Sequence, residues 1–234
     1  MSLILNIETA TGVCSVAVAK DGELLCINES NSKNSHAEVL TTFIDEAIKT
    51  IGIALTDLDA IAVSEGPGSY TGLRIGVAAA KGLCFALDKP LIGVSTLGAM
   101  AVGMVYSLSS HEKTNFLYCP MIDARRMEVY SAIFNKDGEE VRETKAEIIE
   151  GNSFQEFFEN NKVIFAGDGA LKCKSLLNKN QNAVFLNDFQ ASAKYMVEIS
   201  EKRFLQHHFE NIAYFEPYYL KDFIAGKPRV KGLR

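Results

Sequence analysis

A glycine-rich stretch offers the clearest candidate chemistry in this chain. It reads Gly66-Pro67-Gly68-Ser69-Tyr70-Thr71-Gly72-Leu73-Arg74-Ile75-Gly76. The apolar run 58–63 before it is typical of a buried strand, and the Ala-rich run 75–87 after it is typical of a covered helix. This loop has two possible interpretations. It is either a phosphate-binding loop at a helix N-terminus or a tight turn that lets two elements pack closely. Leu73 stands where a P-loop has lysine, so that motif is excluded and the turn is favoured.

Other catalytic groups are sparse. The histidines, His36, His111, His207 and His208, lack the spacing of a metal-binding pair. No G-x-S-x-G elbow is present, so nucleophilic serine chemistry has no support. Glu8 ends the first predicted strand, where a sugar-kinase-like fold places a metal-associated carboxylate. We favour the plainer interpretation, in which Glu8 bonds to its neighbouring turn.

Composition limits the function classes. The net charge of −5 over 234 residues argues against a protein that binds nucleic acid over a broad surface without a partner. No apolar run reaches the length of a membrane helix, and the start MSLILNIET has no basic region or cleavage site. We therefore expect a cytoplasmic protein without a membrane partner. The five cysteines are scattered, and their spacing predicts reduced thiols instead of disulfides or zinc ligands.

The elements that hold these residues follow the order β-β-β-α-β-α-β-α. Strands are predicted at 2–8, 13–20 and 23–28, and Asp21-Gly22 is a hairpin signal. A helix at 35–50 begins with a Ser35/Glu38 capping box, followed by the strand 58–63 and a helix capped by Ser69 or Thr71. A strand at 91–94 precedes a helix that begins near Ser95. Helical crossovers predict a mixed sheet with helices on both faces.

The second half begins with a predicted linker at 104–114. Strands at 116–122 and 127–134 flank Asp123-Ala124-Arg125-Arg126, and a charged, exposed stretch covers 137–150. A short strand at 163–166 leads through Gly167-Asp168-Gly169 into a helix at 170–177, and a last helix spans 191–208. We expect two subdomains, an N-terminal one at 1–103 and a smaller one with a tail at 104–234.

Four sequence features occur together in one known family. They are Leu-Asn-Ile-Glu-Thr-Ala, the glycine-rich loop, Pro-Leu-Ile-Gly-Val-Ser-Thr-Leu, and Ile-Asp-Ala-Arg-Arg-Met-Glu-Val-Tyr. In this order they resemble the TsaB (YeaZ) family, with a looser match at Gly167-Asp168-Gly169 and the Pro-Tyr-Tyr-Leu-Lys tail. The resemblance implies an α/β, actin-like (ASKHA) fold of two ribonuclease-H-like halves, with mixed sheets, helices on both faces and a reduced second half.

The resemblance also implies a function. It implies a scaffold that binds and stabilises the paralogue TsaD, which transfers a threonylcarbamoyl group to the adenosine beside the anticodon of tRNAs that read codons beginning with A. A TsaE-like ATPase joins them, tRNA is bound through the complex, and the chain alone is expected to be a homodimer. ATP or ADP and a metal are expected in the partner complex, and no cofactor in this chain.

Thr96 and Met100 stand where TsaD-like chains have the two metal-binding histidines of N-H-x-x-x-H. Neither residue is a ligand for a hard divalent ion at such a site. We therefore expect that this chain alone binds no catalytic metal and transfers no threonylcarbamoyl group. The missing histidines also exclude a metalloprotease.

The alternative is an ATP-dependent small-molecule kinase of the same superfold. Its nucleotide contacts would come from the first hairpin, at Thr9, Thr11 and Gly12, and from the later turn, at Gly167 and Gly169. The shortened second half and a Glu at position 8 fit this alternative poorly.

Two helices, 35–50 and 71–87, carry more apolar surface than one sheet face requires. We predict that they bind the partner through Val39, Phe43, Gly72, Leu73, Gly76, Val77, Ala79, Ala80 and Leu83. The competing interpretation is an internal helix covered by the second half of the chain. After Phe215 the tail has an excess of basic residues, which either contact tRNA in the complex or form a solvated terminus.

Overall fold

The computed structural model describes residues 1–31, 36–108 and 115–221. In the first half, the elements are β1 (Leu3–Glu8), β2 (Cys14–Lys20), β3 (Glu23–Ser30), α1 (His36–Ile51), β4 (Ala60–Gly66), α2 (Tyr70–Leu87), β5 (Leu91–Ser95) and α3 (Thr96–Tyr106). This order confirms the predicted β-β-β-α-β-α-β-α pattern. Ser35, predicted to open the capping box, lies outside the described residues.

The second half contains more strands than predicted. Its elements are β6 (Phe116–Asp123), β7 (Glu128–Phe134), β8 (Glu140–Ile148), α4 (Gln155–Phe158), β9 (Lys162–Ala166), α5 (Asp168–Leu177), β10 (Ala183–Phe185), a 3-10 turn (Ala193–Met196) and α6 (Val197–Leu205). The charged stretch at 137–150, predicted only to be exposed, contains the strand β8, whose side chains are exposed or half-buried. The last helix was predicted at 191–208 and is shorter, because a 3-10 turn precedes α6.

The two sheets have the same topology. The strand order is β3-β2-β1-β4-β5 in the first and β8-β7-β6-β9-β10 in the second. In each sheet the central strand pairs antiparallel with the second strand and parallel with the fourth. The reduction of the second half is therefore in its helices. The helix that follows the third strand has 16 residues in α1 and 4 in α4.

Helices cover both faces of the first sheet. On one face, Leu5, Ile7 and Val63 pack against α1 and α2. On the other face, Ile4 and Ala62 pack against α3 and the 3-10 turn. This alternation along the central strands is the period of two expected of a sheet that is buried on both sides. None of the helices in the described ranges is long and apolar enough to cross a membrane.

The C-terminal segment returns to the first sheet. The Glu210 amide donates to the Leu91 carbonyl oxygen at 2.8 Å and bridges the edge strand β5. Ile212 and Phe215 then join the apolar core beneath α1 and α2. The predicted boundary after residue 103 lies inside α3, and residues 193–215 pack against the first sheet, which the sequence pattern did not indicate.

Candidate functional site

The glycine-rich loop is fastened to the turn between β1 and β2. The Ser69 hydroxyl caps α2 by accepting from the Gly72 amide at 3.3 Å. The Ser69 amide donates to the Ala10 carbonyl oxygen at 2.7 Å. The Thr9 hydroxyl donates to the Gly72 carbonyl oxygen at 2.8 Å. Because the Ser69 and Gly72 amides already have acceptors and Gly68 packs closely against Ala10, the loop has the geometry of a tight packing turn, as the sequence favoured.

Close approach explains two glycines of α2. A Cβ on Gly72 would collide with the Thr9 carbonyl oxygen, and a Cβ on Gly76 would collide with the Thr9 hydroxyl. Glycine is required where a helix backbone approaches another backbone this closely. The structure thus gives these two predicted partner residues a packing role inside the chain.

Glu8 ends β1 as a buried carboxyl group. Its Oε1 accepts from the Ala10 amide at 2.5 Å, and the Ser64 hydroxyl also bonds to it. Burial raises the pKa of Glu8 from 4.5 to about 7, although both hydrogen bonds lower it. The side chain is 1% exposed. Glu8 therefore fixes the turn after β1, as the plainer interpretation of the sequence predicted.

The positions of the missing metal ligands lie in packed surroundings. Thr96 begins α3, is fully buried, and its hydroxyl has no hydrogen-bond partner among the described residues. The Met100 Cε lies 2.8 Å from the position that a Cβ on Gly167 would occupy. A hydroxyl and a thioether do not make a donor set for a hard divalent ion. In the described ranges no group of three or more His, Cys, Asp or Glu side chains is arranged to hold a metal.

Packing also accounts for three of the five predicted nucleotide contacts. A Cβ on Gly167 or Gly169 would meet the backbone of β6 at Met121 and Ile122, and the Thr9 hydroxyl already bonds to α2. These three residues are buried. Thr11 and Gly12 are accessible, and the Thr11 carbonyl oxygen lies 2.9 Å from His36 Nε2. Nucleotide contact at all five positions stays a prediction.

The exposed side of α2 differs from the predicted partner stripe. Among the nine predicted partner residues, five are buried within this chain and are not exposed to a partner in this conformation: Gly72, Leu73, Gly76, Val77 and Ala80. The other four, Val39, Phe43, Ala79 and Leu83, are partly exposed at the edge of the same core. For these four, partner contact stays a prediction.

The residues of α2 that face solvent include apolar side chains that the sequence pattern did not single out. The exposed positions are Thr71, Arg74, Ala78, Gly82, Phe85 and Ala86. Phe85 is 85% exposed. The last four of these positions, from Ala78 to Ala86, together with the partly exposed Ala79 and Leu83, make an apolar side at the C-terminal part of α2, so α2 is not the internal helix of the competing interpretation.

Comparison with known proteins decides the family. A sequence model described as TsaD, tRNA N6-adenosine threonylcarbamoyltransferase, matches residues 27–227. The tRNA threonylcarbamoyladenosine biosynthesis protein TsaB of Haemophilus influenzae is 31% identical over 96% of this chain and 95% of its own. The TsaB protein of Escherichia coli is 32% identical over 96% of each chain. The chain belongs to the TsaB (YeaZ) family.

Solved structures agree with this assignment. YeaZ from Pseudomonas aeruginosa is 26% identical and superposes with a TM-score of 0.80, covering 94% of this chain and all of that one. The tRNA N6-adenosine threonylcarbamoyltransferase of Staphylococcus haemolyticus is 39% identical, but over only 49% of this chain and 37% of its own. The TsaB family match therefore spans nearly the whole chain, whereas this TsaD relative matches about half. The α/β actin-like fold expected from the sequence is confirmed.

Proposed function

We propose that this chain is the scaffold subunit that binds and stabilises a TsaD-like paralogue, without catalytic activity of its own. Family membership supports a role in forming threonylcarbamoyladenosine in tRNA, since the TsaB relatives are named for that pathway. The TsaD family match across residues 27–227 supports a partner that is built on the same fold. In this proposal the target is the adenosine beside the anticodon of tRNAs that read codons beginning with A.

The scaffold proposal depends on two features seen together: α3 lacks suitable metal ligands, and α2 has an uncovered apolar side. Met100 and Thr96 occupy the metal positions with side chains that do not suit a hard ion. At the same time, α2 leaves Phe85 and its small apolar neighbours uncovered. An exposed apolar surface of this kind favours a protein partner over a small substrate.

The remaining partners belong to the same proposal. A TsaE-like ATPase joins the pair, tRNA is bound by the assembled complex, and ATP or ADP and a metal are held on the partner's side. Without TsaD, the same α1 and α2 surface pairs two copies of this chain as a homodimer. The kinase alternative requires nucleotide contacts from the first hairpin and the later turn, whereas Thr9, Gly167 and Gly169 are buried and the Thr9 hydroxyl already bonds to Gly72.

Charge introduced on the exposed side of α2 tests the proposal. We expect Phe85→Asp and Ala79→Arg to keep the fold but to lose capture of TsaD in a pull-down and to stop threonylcarbamoyladenosine formation by the reconstituted proteins. Leu205→Asp is the matched control, because Leu205 is 68% exposed on α6, away from α2.

One result would contradict the α2 interface, and another would contradict the scaffold role. Normal capture of TsaD by both α2 variants would place the interface elsewhere. Steady ATP turnover by the purified chain with a small acceptor, lost on substitution of the first hairpin, would favour the kinase. Phe43→Glu extends the test to α1, where Phe43 is half-buried against the shared core.

A further inference from the structure

The last described residues cross from the first half to the second. The Lys81 ammonium group donates to the Phe215 carbonyl oxygen at 2.9 Å, which holds the segment along α2. The Tyr218 amide then donates to the Glu65 carbonyl oxygen at 2.7 Å, at the end of β4. Beyond this point Lys221 forms an ion pair with Glu128 of β7. The segment therefore ends beside the hairpin that joins β6 and β7.

Aromatic rings and cations alternate along this crossing. The Arg74 guanidinium lies 4.6 Å from the centre of the Tyr70 ring. The Tyr70 ring lies 5.0 Å from the ring of Tyr219, with 38° between their planes. Tyr218 and Tyr219 are 49% and 36% exposed. Both side chains are thus partly accessible, and Tyr219 packs against the ring that Arg74 covers.

The hairpin between β6 and β7 adds further cations to Arg74 and Lys221. Both Lys221 and Arg125 act to lower the pKa of Tyr130, which burial raises, so both cations lie within electrostatic reach of one phenol group. Arg125 and Arg126 are exposed and have φ of 73° and 53°. This left-handed backbone disfavours side chains with a Cβ, and consecutive turn positions of this kind usually hold Asn or Gly. The turn therefore presents two arginines at a conformational cost.

Three guanidinium groups along this surface remain without a carboxylate. Within the ranges 1–31, 36–108 and 115–221, none of Arg74, Arg125 and Arg126 forms an ion pair. By contrast, the two acids at the ends of this hairpin are already matched, since Asp123 pairs with Lys172 and Glu128 with Lys221, which leaves Glu216 and Asp168 against the three arginines. The local excess is positive in a chain whose net charge is −5.

We propose that Arg74, Arg125, Arg126 and the rings of Tyr218 and Tyr219 form a surface that contacts a single-stranded segment of RNA. The guanidinium groups match phosphate oxygens, and exposed rings beside cations stack on unpaired bases. A surface limited to one edge of the molecule agrees with an acidic protein that binds RNA only as part of a complex. This proposal rests on the proposed function, which supplies tRNA as the substrate of the assembly.

Binding of a labelled anticodon stem-loop RNA, followed by fluorescence anisotropy, tests this surface. The titration uses the complex of this chain with TsaD and, in parallel, the chain alone. We expect the triple variant Arg74→Gln, Arg125→Gln, Arg126→Gln to bind the RNA at least about tenfold more weakly. The slope of log affinity against log salt should fall by about 2, because each lost phosphate contact removes about 0.7. Tyr219→Leu should weaken binding about fivefold or more, whereas Tyr219→Phe should not.

The matched control is Lys20→Gln, which removes an exposed cation at the opposite end of the first sheet. A TsaD pull-down on every variant separates the two proposals. If the variants assemble with TsaD but keep the wild-type RNA affinity and salt slope, the RNA surface is refuted and the scaffold is retained. If no complex forms even with the wild-type chain, the scaffold is refuted, and the RNA surface is then retained only if the chain alone binds the RNA and the triple variant binds it more weakly. Full displacement of the RNA by ATP alone would assign the cations to a mononucleotide and also refute it.

Discussion

The hydroxyl of Thr9 bonds to the carbonyl oxygen of Gly72 at 2.8 Å, joining the first turn of the sheet to the first turn of α2. Both residues are buried. A single side chain thus sets how closely the helix with the exposed apolar stripe approaches the sheet.

Replacing Thr9 by Val should destabilise the protein. Val has nearly the same shape but cannot donate, so the buried Gly72 carbonyl oxygen loses its side-chain partner. We expect the free energy of unfolding to fall by about 1–3 kcal/mol. Urea denaturation followed by circular dichroism measures this change, with Thr50→Val on the exposed side of α1 as the control. Equal stability of the two variants would show that the bond contributes nothing.

Two glycines of α2 should respond to alanine in opposite directions. A Cβ on Gly76 would collide with the Thr9 side chain, whereas a Cβ on Gly82 has no neighbour within 4 Å. Gly82→Ala should raise the free energy of unfolding by about 0.5–1 kcal/mol, because alanine favours a helix. Gly76→Ala should lower it by about 1–3 kcal/mol despite that gain. Thermal unfolding of the pair tests this, and stabilisation by both substitutions would contradict the close approach.

The stability of the protein should depend on pH through Glu8. Its pKa is raised from 4.5 to about 7 in the fold, so between these values the native state holds a proton that the unfolded state has lost. The contribution of Glu8 to stability is therefore complete below pH 4.5 and declines as pH rises to 7, by roughly 3 kcal/mol in total.

Glu8→Gln should abolish that decline, because glutamine still accepts from the Ala10 amide but does not ionise. Unfolding free energies between pH 4 and pH 8 compare the variant with the wild type and with Glu46→Gln, an exposed carboxyl group on α1. A wild-type and a Glu8→Gln profile that run parallel across this range would rule out a buried carboxyl group with a raised pKa.

Much of the first half could be predicted from the sequence because its signals are local. The Asp21-Gly22 turn, the Ser69 cap and the apolar runs each act within a few residues. β8 was missed for a physical reason. As an edge strand it alternates between exposed and half-covered side chains, so charges such as Arg142 and Glu147 pair on its surface and hide the apolar period.

The sequence could not predict which side of α2 is covered. Small and apolar residues occur all around this helix, so their spacing does not identify the covering element. Gly72 and Gly76 were assigned to a partner because small residues permit close packing, but Thr9 is the group that approaches them. Phe85 gave no signal beyond being apolar, and only the position of the sheet shows that it faces solvent.

The return of the C-terminal segment to β5 protects the protein from aggregation. β5 is an edge strand, and an uncovered edge offers a template on which another chain can add a strand. Here the Glu210 amide bonds to the Leu91 carbonyl oxygen, and Arg203 bonds to that of Gly93. A chain that ended before α6 would keep all five strands of the first sheet but would expose the edge of β5. We expect such a truncated chain to aggregate through strand pairing and not to lose the sheet itself.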